Sequence, residues 1–169
     1  MLNKTLTWIT ALLLMLAALP ALSQDSKGVT LYKEGKYAEA AGILKTELDQ
    51  APGNERAMTY LGLARAYAGD TAGAMEPLKA AIAKNDNNAE AHFGLGLVNL
   101  KLKKLDDAVA ELQKAWKLNA EDAYTHFYLA TAYNEKGESH LAIPHLRRFV
   151  ELAPNAPEAP AVRSFLSRL

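Results

Sequence analysis

The chain has 169 residues, half of them hydrophobic, with 19 basic and 19 acidic side chains and no cysteine. Zero net charge without like-charge runs argues against nucleic acid or an anionic membrane surface as the main partner. The missing cysteine excludes disulfides, thiolate metal ligands, a cysteine nucleophile and a lipidated cysteine.

The first element in chain order is a leader. Lys4 gives a positive start, Leu6 to Leu19 is mostly apolar, Pro20 breaks the segment, and Ala21-Leu22-Ser23 puts small residues just before Gln24. This pattern predicts a secretory signal peptide over residues 1–23. The alternative is an uncleaved anchor, but the unbroken apolar run from Ala11 to Leu19 is short of the roughly 20 residues a bilayer span needs. An exported chain without disulfides fits a bacterial periplasm or secreted space, with no stable membrane insertion once the leader is removed.

Beyond the leader the sequence echoes itself every 34 residues. Gly28, Gly62, Gly96 and Ala130 are followed in step by Ala40, Ala74, Ala108 and Ala142, and then by Leu44, Leu78, Leu112 and Leu146. A further column holds Leu48, Ile82, Trp116 and Val150. The units run over residues 21–54, 55–88, 89–122 and 123–156, four repeats within residues 24–156 of the mature chain. Each carries two helical patterns and a turn. In the second unit Met58, Leu61, Gly62 and Arg65 recur at helical steps, and Ala74, Leu78, Ala81 and Ile82 form the stripe of the partner helix. Such units bury their apolar faces only against neighbours, giving a continuous seam rather than a globular centre.

Gly35, Gly69 and Gly137 mark the turns inside their units, where the third unit has Lys103. Pro77 and Pro144 fall inside second helices, near enough to their starts to predict mild bends rather than breaks. The last segment, residues 157–169, places Val162, Phe165, Leu166 and Leu169 at helical spacing, with Asn155 as a candidate cap. This predicts a capping helix over the last repeat's apolar face.

These columns resemble the tetratricopeptide repeat family. The third unit follows its pattern at Leu95, Gly96, Leu105, Ala108, Leu112 and Ala115, and the fourth at Tyr133, Gly137, Ala142, Leu146 and Pro154. Departures are Arg65 and Asn99, where the family often has an aromatic, and Phe149, where it usually has a small residue. The resemblance implies an all-α fold: an α-solenoid of antiparallel helix pairs, about nine helices in the mature chain, wound into a right-handed superhelix. It also implies a non-enzymatic protein that binds peptides or protein segments along the concave face of its first helices.

On a wheel of the first helix in each unit, the repeating Leu, Gly and Ala positions cluster on one side. The opposite side carries Tyr32, Tyr60, Tyr67, Phe93, Tyr124, Phe127 and Tyr128, joined by Leu63 and Leu97. Exposed rings of this kind mark an interaction surface, and the competing reading is that some of them fill gaps between neighbouring helices. Arg56 and Lys101 offer charge to a carboxylate and Asn134 offers hydrogen bonds to an extended backbone, although solvation explains these polar groups equally well. The carboxylate clamp of one branch of the family is missing, because its sites hold residues such as Thr59, Leu63, Glu90, Gly94, Tyr124 and Tyr128. A predominantly apolar protein segment is the expected ligand. Truncating Phe93 and Phe127 together should then weaken partner recovery and leave the stack folded.

His92 and His126 occupy the same position of successive units, which predicts structural equivalence rather than a metal site, and His140 and His145 do not converge. Asp106-Asp107 and Glu121-Asp122 sit near helix starts, where carboxylates complement the helix dipole. Neither a phosphate-binding glycine loop nor a Gly-x-Ser-x-Gly or His-Glu-x-x-His motif occurs, so no cofactor is expected. The expected function is an exported adaptor whose partner is a protein or peptide. The alternative is a self-associating structural protein, a homo-oligomer built through the same surface or the end cap.

Overall fold

The computed structural model describes residues 25–169; residues 1–24, and with them the expected signal peptide, lie outside the described residues. Nine helices follow among the described residues: α1 (Lys27–Lys33), α2 (Tyr37–Gln50), α3 (Glu55–Ala68), α4 (Thr71–Lys84), α5 (Ala89–Lys101), α6 (Leu105–Leu118), α7 (Ala123–Glu135), α8 (Ser139–Leu152) and α9 (Ala159–Leu166). Each packs on the next, and α1, α3, α5 and α7 also pack on one another in sequence, as expected of an α-solenoid of helix pairs. No described helix is long and apolar enough to cross a membrane.

The helix starts share one device. Ser26, Asn54, Asn88 and Asp122 cap α1, α3, α5 and α7, each accepting from the backbone N–H three residues on, at 3.3, 3.1, 2.8 and 2.7 Å. Asn88 also donates to Glu55 Oε1 (2.7 Å) and Thr59 Oγ1 (2.8 Å), tying the start of the third unit to the first helix of the second. Glu47 secures the short α1 by accepting from Ser26 Oγ at 2.7 Å and from the Gly28 N–H at 3.1 Å.

Inside the units the repeated columns do what their sizes dictate. Ala40, Ala74 and Ala108, with Leu44, Leu78 and Leu112, have no exposed surface, and a Cβ on Gly96 would lie 2.5 Å from Leu112 Cγ. Glycine there leaves room for the leucine side chain in the position it takes. The fourth unit has Ala130 in that column, and Leu146 is correspondingly half-buried.

The turns follow the expectation, including the exception. Gly35, Gly69 and Gly137 have φ of 77°, 93° and 80°, and Lys103 takes the same left-handed conformation at 59°. A side chain there costs on the order of 1 kcal/mol, part of which glycine would return through its greater unfolded-state freedom. We expect Lys103→Gly to raise the melting temperature by roughly 1–4 °C in a thermal scan; a lower value would show that the exposed Lys103–Glu135 ion pair outweighs the backbone strain.

The two helices with an internal proline, α4 and α8, run through unbroken. Pro77 cannot donate to the carbonyl of Gly73, and Arg65 Nη1 donates to that oxygen instead, at 2.8 Å. The departure at Arg65 thus has a structural partner in the proline one helix away.

The capping helix begins later than expected and is shorter. The chain turns over residues 154–158, with the Ala156 N–H on the Ala153 carbonyl (3.1 Å) and the Ala159 N–H on that of Ala156 (3.0 Å). Glu158 stands in the cap position with no side-chain cap bond, and Asn155 does not take that role. Pro160 in the first turn removes one of the amides a cap would serve.

Candidate functional site

Rings of the first helices gather on one side of the stack, joined by Tyr37 of α2. Tyr32 meets Tyr60 at 5.1 Å between centroids, and Tyr37 stacks on Tyr67 at 4.9 Å. Farther along, Phe93 lies edge-on to Tyr128 at 5.7 Å, and Phe127 packs on Phe149 at 5.0 Å. The Tyr67 and Tyr128 hydroxyls lie near enough to perturb one another, so the rings of the second and fourth units face the same space. Burial foremost pushes the Tyr32, Tyr67 and Tyr128 hydroxyls above the usual phenol range, which keeps them neutral donors.

Between these groups lies a hollow of about 190 Å³. Tyr32, Tyr60, Leu63, Tyr67, Phe93 and Tyr124 line it, together with Ala89, Glu90, Asn119, Asp122 and Thr125. Of the other residues expected on this face, Phe127 and Tyr128 join the ring cluster without lining the hollow. Leu97 is 2% exposed and belongs to the apolar seam, because every residue of α5 from Ala91 to Leu100 is buried among α3, α4, α6 and α7. Arg56 forms an ion pair with Asp25 and lies 5.6 Å from the Tyr60 ring centre, at the edge of a neighbouring polar recess. Lys101 donates to the Ala66 carbonyl at the end of α3. Asn134 accepts from Ser139 Oγ at 3.0 Å and lines a second hollow of about 180 Å³ with Thr131, Leu146 and Phe165.

Phe93 is 9% exposed, and Phe127 rests on the fully buried Phe149. Truncating both therefore removes core as well as surface, and the expectation that this pair separates binding from folding fails on packing grounds. Tyr37 joins the ring cluster from the start of a second helix. A wheel restricted to first helices passes over it.

The model of the tetratricopeptide repeat matches residues 26–89, 61–123 and 105–157. The chain belongs to the tetratricopeptide repeat family. Among curated proteins, Protein CTR9 homolog from Arabidopsis thaliana is 29% identical over 113 residues, which is 63% of this chain and 10% of that protein. The chain thus spans about a tenth of that relative's length. Among solved structures, TTC0263, a thermophilic tetratricopeptide repeat protein of Thermus thermophilus, superposes with a TM-score of 0.69 at 23% identity, over 83% of this chain and 76% of that one. MamA (41 to the end) from Desulfovibrio magneticus RS-1 gives 0.64 at 24% identity, over 77% and 73%. At these identities the likeness is one of fold.

The tetratricopeptide repeats here also carry a polar column between their two helices. His92 Nδ1 meets Glu111 Oε2 at 2.6 Å, and its Nε2 faces the Asp86 carbonyl at 3.0 Å. One repeat on, His126 Nε2 faces the Ala120 carbonyl at 3.0 Å, and its Nδ1 meets His145 Nδ1 at 2.9 Å. A carbonyl only accepts, so neutral His126 carries its proton on Nε2 and His145 donates from Nδ1. His92 and His126 are structurally equivalent, as their spacing implies, but His145 converges on His126 rather than His140. The signal was the matching separation: Glu111 follows His92 by 19 residues and His145 follows His126 by 19.

Burial, aided by the facing His126, holds the His145 pKa down to about 4 from the usual 6.5. The unfolded chain therefore takes up this proton near pH 6.5 while the folded chain resists until about pH 4. Stability present above pH 6.5 should fall across that window, by on the order of 1–2 kcal/mol after allowing for the half-buried ring. Urea titrations at pH 7 and pH 4 check this, and His145→Asn should remove this part of the loss; an identical pH dependence in the variant would contradict the assignment.

Proposed function

We propose that this chain is a non-enzymatic adaptor of the bacterial cell envelope, which holds a segment of a partner protein against its concave tyrosine-rich face. The observation that carries this reading is the hollow of about 190 Å³ walled by Tyr32, Tyr60, Tyr67, Phe93 and Tyr124. Tyrosine gives a large apolar contact with a polar tip, and a ring held by its neighbours loses little entropy when a ligand arrives. Repeat scaffolds of this kind act by presenting such surfaces. The envelope assignment rests on the leader, with its positive start at Lys4, its apolar run and the small residues before Gln24.

Affinity capture from an envelope extract tests the proposal. Tyr60→Gln with Tyr124→Gln leaves both helices a good former and removes two half-buried rings from the hollow. The double variant should lose the captured protein while keeping its helicity. Undiminished capture by a folded double variant would place the contact elsewhere. Self-association is the competing outcome, and a light-scattering mass at micromolar concentration that doubles the monomer's would support it.

A further inference from the structure

The tyrosine hollow has a charge character that the sequence wheel does not show. Two carboxylates, Glu90 and Asp122, reach its wall, and no lysine or arginine lines it. Glu90 has no hydrogen-bond or ion-pair partner among the described residues, and Asp122 caps α7 through Oδ2 alone, receiving the Thr125 N–H at 2.7 Å and its hydroxyl at 2.5 Å. That leaves Asp122 Oδ1 without a partner among the described residues. At the margin a third carboxylate, Glu158, accepts from the Tyr124 hydroxyl at 3.4 Å. Arg56, which shares the neighbouring polar recess with Tyr60 and Glu90, is held by Asp25. Burial foremost raises the Tyr32, Tyr124 and Tyr128 hydroxyl pKa values, and the nearby carboxylates add to the rise, Asp122 at Tyr32 and Glu158 at Tyr124 and Tyr128.

An anionic or neutral occupant uses none of this. At the helix starts Asn88 takes the Ala91 N–H of α5, and the Asp122 carboxylate that takes the Thr125 N–H of α7 already supplies negative charge there. Ring faces carry negative charge and draw cations, and the Arg56 guanidinium over Tyr60 shows one such contact within the protein. A guanidinium suits the site better than an ammonium, because its plane stacks on rings while its N–H groups fork toward a carboxylate.

We infer that the hollow takes an arginine side chain, carried by the partner segment, stacked among the tyrosines with its guanidinium on Glu90 and Asp122. This rests on the concave face being the binding surface. The flanking apolar rings then receive the hydrophobic neighbours of that arginine.

The test is a titration of the isotope-labelled protein with acetyl-Leu-Ala-Arg-Ala-Leu-amide, followed by amide NMR, alongside peptides with norleucine or glutamate in place of arginine. The arginine peptide should shift Glu90, Phe93, Tyr124 and Thr125 saturably, and bind about tenfold tighter than the norleucine peptide. Glu90→Gln with Asp122→Asn should erase that difference with the fold intact, since asparagine caps a helix as well as aspartate. Equal binding of the norleucine peptide overturns the arginine assignment and leaves the groove reading standing. Preference for glutamate, or no shift with any of the three, also overturns it, and loss of partner capture by the Tyr60 and Tyr124 variant then decides the groove reading separately.

Discussion

Phe149→Ala should cost about 3–5 kcal/mol, and the loss should concentrate at the C-terminal end. Phe149 has no exposed surface, and it forms one cluster with Ala159 and Val162 of α9. Phe127 at 5.0 Å and Tyr124 at 5.9 Å close it from α7. Alanine leaves a cavity that α8 cannot fill by itself, because the ring is what the short α9 rests on. In a repeat stack each unit is stabilised mainly by its neighbours, so damage at the end is not shared evenly. Hydrogen exchange should show Val162 and the last turns of α8 losing protection while α4 and α5 keep theirs. A uniform loss along the chain, or a cost under about 1 kcal/mol, would contradict this account of the end cap.

Leu112→Ala is the second large effect, at about 2–5 kcal/mol, and its informative partner is Gly96→Ala. A methyl at position 96 would lie 2.5 Å from Leu112 Cγ and 2.9 Å from Cδ2, but 3.2 Å from the Leu112 backbone nitrogen. The conflict is therefore chiefly with the leucine side chain. Gly96→Ala alone should cost about 1–3 kcal/mol through overpacking, and the double variant should cost clearly less than the sum. Denaturant unfolding of the four proteins gives the coupling directly. Simple additivity would mean that the helix backbones, rather than this side chain, set the approach.

The fold was legible because packing in a repeat is periodic. Gly96, Ala108 and Leu112 recur in other units for the same steric reason, so their columns report helix approach before any coordinates exist. The capping column of Asn54, Asn88 and Asp122 was equally present in the sequence, as the residue before each first helix. Contacts between helices were harder to read. A wheel describes one helix, so it put Leu97 on an open face that α3, α4, α6 and α7 cover, and it missed Tyr37 because that ring arrives from a second helix. Arg65 looked like a lapse from the family pattern until the carbonyl freed by Pro77 gave it a partner. The hollow's negative edge depends on which carboxylates are already engaged. Sequence alone does not tell Glu90, without a partner among the described residues, from Glu55, which accepts from Asn85 and Asn88.

The central claim is that the partner sits on the concave tyrosine face. A photo-cross-linking side chain placed in turn at Tyr60 and Tyr124 in the hollow, and at Glu76 and Ala83 on the exposed outer surface of α4, tests it in cells that make the protein. The account predicts one and the same protein adduct from positions 60 and 124 and none from 76 and 83. Adducts from the outer positions alone, or equally from all four, would contradict it.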